Sequence, residues 1–221
     1  MKVGPLIGEG NTLVSDNEGM TKILNSHFAN VFTVENLTVI PHAKVISSRE
    51  EHMVLHDVHI TEMDILQVVS KLSENKAAGV DGLNSTFIKN CIKGLLKPLG
   101  KLFKESLDTG EIPEDWRTAN VTALFKKGKH CDPGNYRPIS LTHQVSKILE
   151  KLITKELVSY LEKNKLLLDS QHSFRQNRSC LTNLLDFLEH AVNKLDRGDA
   201  VDVFYLDFQK AFDKVGYPTV G

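Results

Sequence analysis

The sequence predicts an α+β fold, rich in helix, with one central hairpin and one late strand. Three observations carry this reading. Several segments place apolar residues at three- and four-residue spacing, the period of a helix with one buried face. Two six-residue β-prone runs, NVTALF (120–125) and YRPISL (136–141), flank a turn-rich stretch holding Gly128, Pro133 and Gly134. A further β-branched run leads into Asp207 without a second strand near it in sequence. Helices therefore do not alternate with strands as a βαβ repeat requires, and α+β suits the order better than a doubly wound sheet.

Taken in order, residues 1–60 read as a lead-in. A helical patch at 20–32 carries Ile23, Leu24, Phe28, Val31 and Phe32, and the polar stretch 33–48, broken by Pro41, reads as loosely packed. Thr61 and Asp64 form a capping box, with Asp in place of Glu, ahead of the stripe Ile65, Leu66, Val69 and Leu72. That helix is expected to stop at Ala78-Gly79. A second helix spans 85–108, with Pro98 expected to kink or split it and Gly110 to end it. After the hairpin, 146–163 and 181–195 each carry one apolar face, and 199–207 is the last strand. The organisation is a lead-in (1–60), a main helix-rich region (61–199) and the start of another unit (200–221).

Composition sets broad limits. At 221 residues with 41% hydrophobic content, the chain can bury a core, and its longest apolar runs are too short to cross a bilayer. The N-terminus lacks the apolar core of a signal peptide, and three widely spaced cysteines (Cys91, Cys131, Cys180) give neither a disulfide framework nor a CxxC zinc site. An intracellular, soluble protein is the simplest expectation. His52, His56 and His59 lie close together, but no second cluster completes a zinc site. The net charge of −1 hides a pattern: −5 over residues 1–70, +7 over 71–180 and −3 over 181–221. Local field decides whether a phosphate backbone is attracted, so the basic middle is the place to look, although a solvated lysine surface gives the same count.

Four blocks carry chemistry. In VDVFYLDFQKAFDKV (201–215), Asp207 stands at the end of an apolar strand, where a carboxylate can offer a metal ligand; alone, such an Asp is equally a helix N-cap. KKGKHCDPGNYRPISL (126–141) puts Lys126 and Lys127 at the end of one strand and Arg137 on the next. Pro138 restricts Arg137 to extended geometry. LDSQHSFRQNRSC (168–180) mixes Arg175 and Arg178 with His172 and Phe174, a blend that suits single-stranded nucleic acid. NKAAGVDGLNSTFIKN (75–90) is a loop punctuated by Gly79 and Gly82, with Asp81 a turn-former or cap.

Together these blocks resemble the reverse transcriptases of jockey-like non-LTR retrotransposons, continuously from about residue 61 to 215. The first catalytic motif of that family, aromatic-x-x-Asp-(Phe/Leu)-x-Lys-Ala-Phe-Asp, is matched by residues 204–213. The resemblance implies a right-hand polymerase, with 61–199 as the fingers-like region and 200–221 as the start of the palm. It implies Mg²⁺ bound by Asp207 and by the backbone carbonyl of Phe208, and Phe212 packed under the sugar of the incoming nucleotide. Lys126 or Lys127, with Arg137, would grip the triphosphate, Arg as a planar fork and Lys as a point charge. Arg175, Arg178 and Lys76 would contact nucleic acid. The implied partners are an RNA template, a DNA primer and deoxynucleoside triphosphates, in a nuclear or cytoplasmic ribonucleoprotein.

The match has departures. Ser173 stands where the family has Gly, Gln176 where Lys is frequent, and Val80 where Pro is usual. If the Gly position needs positive φ, Ser173 would strain the backbone and the copy would look decayed. No Tyr/Phe-x-Asp-Asp turn occurs in these residues. The expectation is a fragment truncated before the second catalytic motif, inactive alone. The alternatives are a non-catalytic nucleic-acid-binding remnant or a degraded element, and YRPISL with KAFD favours mobile elements over intron-encoded or telomere-extending polymerases.

Overall fold

A computed structural model describes residues 3–31, 55, 57–74 and 76–208. Two two-residue strands, β1 (Leu6–Ile7) and β2 (Leu13–Val14), pair antiparallel and precede helix α1 (Asn17–Ala29). Helices α2 (Glu62–Ser70) and α3 (Ser85–Thr109) follow. Then come β3 (Asn120–Phe125) and β4 (Tyr136–Leu141), and the helices α4 (Gln144–Lys163) and α5 (Cys180–Asp196).

The helix starts obey their sequence signals. Thr61 accepts from the Asp64 backbone N–H while the Asp64 carboxylate accepts from that of Thr61, so the expected capping box is present. Asn84 caps α3, and Gly110, at φ 73°, ends it by donating its N–H to the Ser106 carbonyl. Pro98, expected to kink or split this helix, lies inside one continuous helix. Its ring removes the bond to the Gly94 carbonyl, but Ile88 before it and Leu99 and Phe103 after it are anchored in the same core. Helix α2 is shorter than expected: it closes at Ser70, and the chain turns so that Leu72 still reaches the core.

The main core joins three helices. Ile65 and Val69 of α2, Ile88, Leu99 and Phe103 of α3, and Ile148, Leu149 and Leu152 of α4 are buried together, with Trp116 edge-on to Phe103 at 6.4 Å. Full burial of one such side chain stabilises by about 1.5–3 kcal/mol. Lys155 of α4 pairs with Asp64 of α2 at 3.0 Å across the rim of this core.

A second cluster changes the reading of the N-terminal segment. Leu6, Met20, Leu24 and Tyr136 are buried together, with Ala123 and Phe125 packed against them. Residues 3–31, read from sequence only as part of a lead-in, thus pack on one face of the hairpin. The stretch 33–48, together with His52 and His56, lies outside the described residues.

The late strand is a correction. Residues 199–208 form no strand, and Phe204, Leu206 and Phe208 are 85%, 91% and 84% exposed. A strand is stabilised by the ladder it shares with a neighbour, and among the described residues none lies beside this run. Helix α5 is also uncovered: no residue in it is buried, and Leu181, Leu184, Leu185 and Leu188 are exposed.

The Thr61 hydroxyl first, and then Lys155, hold the Asp64 carboxyl down from 3.8 to about 2. A lowered folded pKa gives stability that is present above the unfolded value and lost as pH falls through the folded one. Asp64→Asn should therefore cost about 1 kcal/mol near neutral pH. In denaturant titrations the gap to the parent should close between 3.8 and about 2; a gap that persists at the acid end would show that the carboxylate charge is not its source.

Candidate functional site

The hairpin fixes the relation between its cations. Phe125 pairs with Tyr136 and Leu124 with Arg137, and Lys126 N–H continues the ladder to the Asn135 carbonyl at 2.8 Å. Side chains alternate along a strand, so Phe125, Tyr136 and Ala123 face the second core while Leu124, Arg137 and Ile139 face outward. Carrying the strand alternation one residue past β3, along the Lys126–Asn135 bond, puts Lys126 on the outer face as a diagonal neighbour of Arg137; Lys127 lies further into the turn. All three cations are exposed, and none forms an ion pair with a described residue.

The turn between the strands is braced from inside. Tyr136 donates to the His130 carbonyl at 2.7 Å, and Phe125 stacks on the His130 ring with centroids 3.7 Å apart. Asn135 holds the Lys129 carbonyl at 3.0 Å, and Asp132 caps Gly134. The N-terminal segment adds a backbone bond from Ile7 to Cys131 at 2.8 Å. Sequence reasoning missed this brace, because strands of two residues carry no periodicity.

The loop after α2 is pinned to the start of α4. The fully buried Gln144 donates to the Ala77 carbonyl at 3.0 Å and lies 3.4 Å from the Ser85 hydroxyl. Gly79 sits against the backbone of Thr142 and His143, where an added Cβ would come within 2.8 Å of the Thr142 carbonyl. That close approach, not a positive φ, is why glycine stands there. Asp81 acts as a turn-former, accepting from the Leu83 N–H. Lys76 is exposed on this pinned loop. Neither Gln144 nor the buried His143 drew notice from the sequence; the close contact of Gly79 was equally invisible there.

In the 168–180 stretch the two arginines part company. Arg175 grips Glu162 of α4 with two parallel bonds, at 2.8 and 2.7 Å, and its remaining nitrogen donates to the Leu168 carbonyl at 2.8 Å. Its side chain is 11% exposed. This geometry ties the loop to α4 and leaves Arg175 little capacity for a phosphate, against the expectation from the sequence. The same pair lowers the pKa of the Glu162 carboxyl, mainly through the Arg175 hydrogen bond, and raises that of the guanidinium. Arg178 makes no such tie; one of its nitrogens meets His172 at 3.2 Å. Ser173 does not adopt positive φ; Phe174 and Asn177 do, at 61° and 60°. The strain expected at Ser173 is thus carried by Phe174, whose ring is 87% exposed.

Asp207 is exposed on the unpaired run. Among the described residues no group of three His, Cys, Asp or Glu side chains is arranged to hold a metal ion. Asp207 with the Phe208 carbonyl therefore does not by itself fit a magnesium site. Phe212 and Asp213 lie outside the described residues.

Comparison with known proteins bears on the same residues. Residues 125–219 match the family described as reverse transcriptase (RNA-dependent DNA polymerase), a span holding the hairpin cations, both loop arginines and Asp207. The chain is 24% identical over 215 residues to a probable RNA-directed DNA polymerase from transposon X-element of Drosophila melanogaster, covering 96% of this chain and 24% of that protein. It is 30% identical over 160 residues to the RNA-directed DNA polymerase from mobile element jockey of Drosophila funebris, covering 72% and 18%. It is 29% identical over 160 residues to the jockey counterpart of Drosophila melanogaster, again covering 72% and 18%. The chain thus spans about a quarter or less of the length of these relatives. No described helix is long and apolar enough to cross a membrane.

The split between the arginines is testable. Arg175→Lys loses the planar fork and should lower the melting temperature and speed protease cleavage within residues 168–178. Arg178→Lys should leave both unchanged. Equal sensitivity of the two variants would contradict the distinction.

Proposed function

Because this chain carries part of a reverse transcriptase of the non-LTR retrotransposon kind, we propose that its described region is the fingers-like part of an RNA-directed DNA polymerase. In this reading it binds template and nucleotide but does not catalyse transfer alone. The observation that carries it is the hairpin register, which supports Lys126 and Arg137 as a pair on one outer face. On that face the Arg137 fork accepts two phosphate oxygens of an incoming deoxynucleoside triphosphate, and Lys126 adds a point charge. Leu124 and Ile139 flank Arg137 and give the grip an apolar floor. Lys127 serves as a general basic neighbour.

RNA template and DNA primer are the partners proposed for the basic middle of the chain. Lys76, on its pinned loop, and Arg178 contact the backbone, while Arg175 shapes the loop that presents Arg178. Asp207 and the Phe208 carbonyl keep their proposed role as magnesium ligands, and Phe212 its role beneath the sugar, within an assembled polymerase domain. Phosphoryl transfer depends on positioning two metal ions, and these residues hold one candidate carboxylate without described companions.

The second reading, a non-catalytic nucleic-acid-binding remnant or a degraded element without function, draws on the lack of a metal-holding group among the described residues. The first reading, unlike the second, expects the purified chain to bind deoxynucleoside triphosphate through the hairpin. Arg137→Ala and Lys126→Ala should each weaken this binding several-fold, and Lys127→Ala should matter least. Equal losses at all three lysine and arginine positions would reduce the hairpin to a diffuse basic surface. Primer extension with Mg²⁺ should be absent for the chain alone; incorporation that Asp207→Ala abolishes would overturn the inactivity.

A further inference from the structure

The buried His172 has both ring nitrogens engaged. Nδ1 lies 2.9 Å from the Thr182 hydroxyl oxygen and Nε2 lies 3.2 Å from an Arg178 nitrogen. The Thr182 oxygen accepts from the Ser179 backbone N–H at 2.8 Å, which closes the capping box of α5, and lies 2.9 Å from the Ser179 carbonyl. Arginine can only donate, so a hydrogen bond between Arg178 and Nε2 uses the Nε2 lone pair. With that lone pair facing Arg178, the ring proton falls on Nδ1, towards the Thr182 oxygen.

Two carboxylates lie nearby. Asp186 of α5 stands 3.6 Å from Nε2, where it favours a proton that Arg178 opposes. Glu162 of α4 is already held by Arg175. Arg178 forms no ion pair with a described residue. It lines a small open cavity of about 380 Å³ together with His172, Phe174, Ser179, Cys180 and Asn183.

We propose that His172 is a positioning residue: its bare Nε2 fixes the Arg178 guanidinium over this cavity, where it takes a backbone phosphate of single-stranded nucleic acid. The inference deepens the binding reading given above for Arg178 and rests on it. His172 acts through Arg178. It acts by removing the freedom of a long side chain that would otherwise have to be ordered on binding.

Two measurements test it on the full chain. Nitrogen-15 NMR of the His172 imidazole should show a protonated Nδ1 and a bare Nε2; a proton on Nε2 overturns the proposal. The second follows the salt dependence of binding to a mixed-sequence single-stranded RNA oligonucleotide. Arg178→Ala should flatten the log–log slope by about 0.7, the value for one phosphate on a single strand. His172→Phe, which fills the space without an acceptor, leaves the Arg178 charge in place; it should keep the slope near the parent value but weaken binding several-fold at fixed salt, and should weaken it no further when Arg178 is already Ala. His172→Gln, whose amide oxygen can accept from Arg178, should restore the affinity. Parent-like affinity for His172→Phe beside weakened binding for Arg178→Ala overturns the positioning role. An unchanged slope for Arg178→Ala overturns the phosphate contact, while the imidazole signature still reports whether His172 holds Arg178.

Discussion

The packing of three helices around Ile65, Phe103 and Ile148 is the constraint on which the rest of the main region depends. Each helix contributes one apolar face, and none has a second layer to fall back on. Once α2, α3 and α4 are locked, the loop carrying Lys76 can be pinned by Gln144, because the start of α4 is held beside it. Arg175 reaches Glu162 for the same reason: α4 offers a fixed carboxylate to a loop that follows it. The polar ties are therefore secondary to the apolar core. They orient loops whose positions the helices have already narrowed.

The hairpin has its own support. One face of β3–β4 is buried under the N-terminal segment, and its turn is closed by Tyr136, His130 and Asn135. That leaves the opposite face, with Arg137 and Lys126, open to solvent. Rigid backbone below and exposed cations above is the arrangement a phosphate grip requires, since the cost of ordering the backbone is met in folding, before any ligand arrives. The segments from α5 onward lack any such support. Helix α5 and residues 201–208 both present large apolar side chains to solvent among the described residues. Contiguous exposure of this kind marks a surface made to be covered.

Much of this was legible in the residues. The Thr61–Asp64 cap and the Gly110 stop read correctly because they are local, each acting on a backbone group within a few positions. The hairpin read correctly because two β-prone runs meet across a turn, and Pro138 restricts the preceding Arg137 to extended geometry. What failed was non-local. Residues 201–208 have the composition of a strand, but strandedness belongs to a pair of segments and not to one. Leu6 gave no sign that it would be buried against Tyr136, far along the chain. Arg175 and Arg178 look alike in sequence, and only the reach to Glu162 separates a structural tie from a cation left for a ligand. Pro98 does not split α3, whose residues on both sides of it pack into one core.

The three-helix core and the hairpin are supported bodies, while the carboxylate at Asp207 stands on a run with no strand partner among the described residues. Native-state hydrogen exchange on the purified monomer tests this claim most directly. Amides of α2, α3, α4 and the β3–β4 ladder should be protected together, and those of residues 201–208 should exchange close to the unfolded rate. Protection of 201–208 comparable to that of the helical core would contradict the claim, because it would mean that the run bearing Asp207 is paired within these 221 residues.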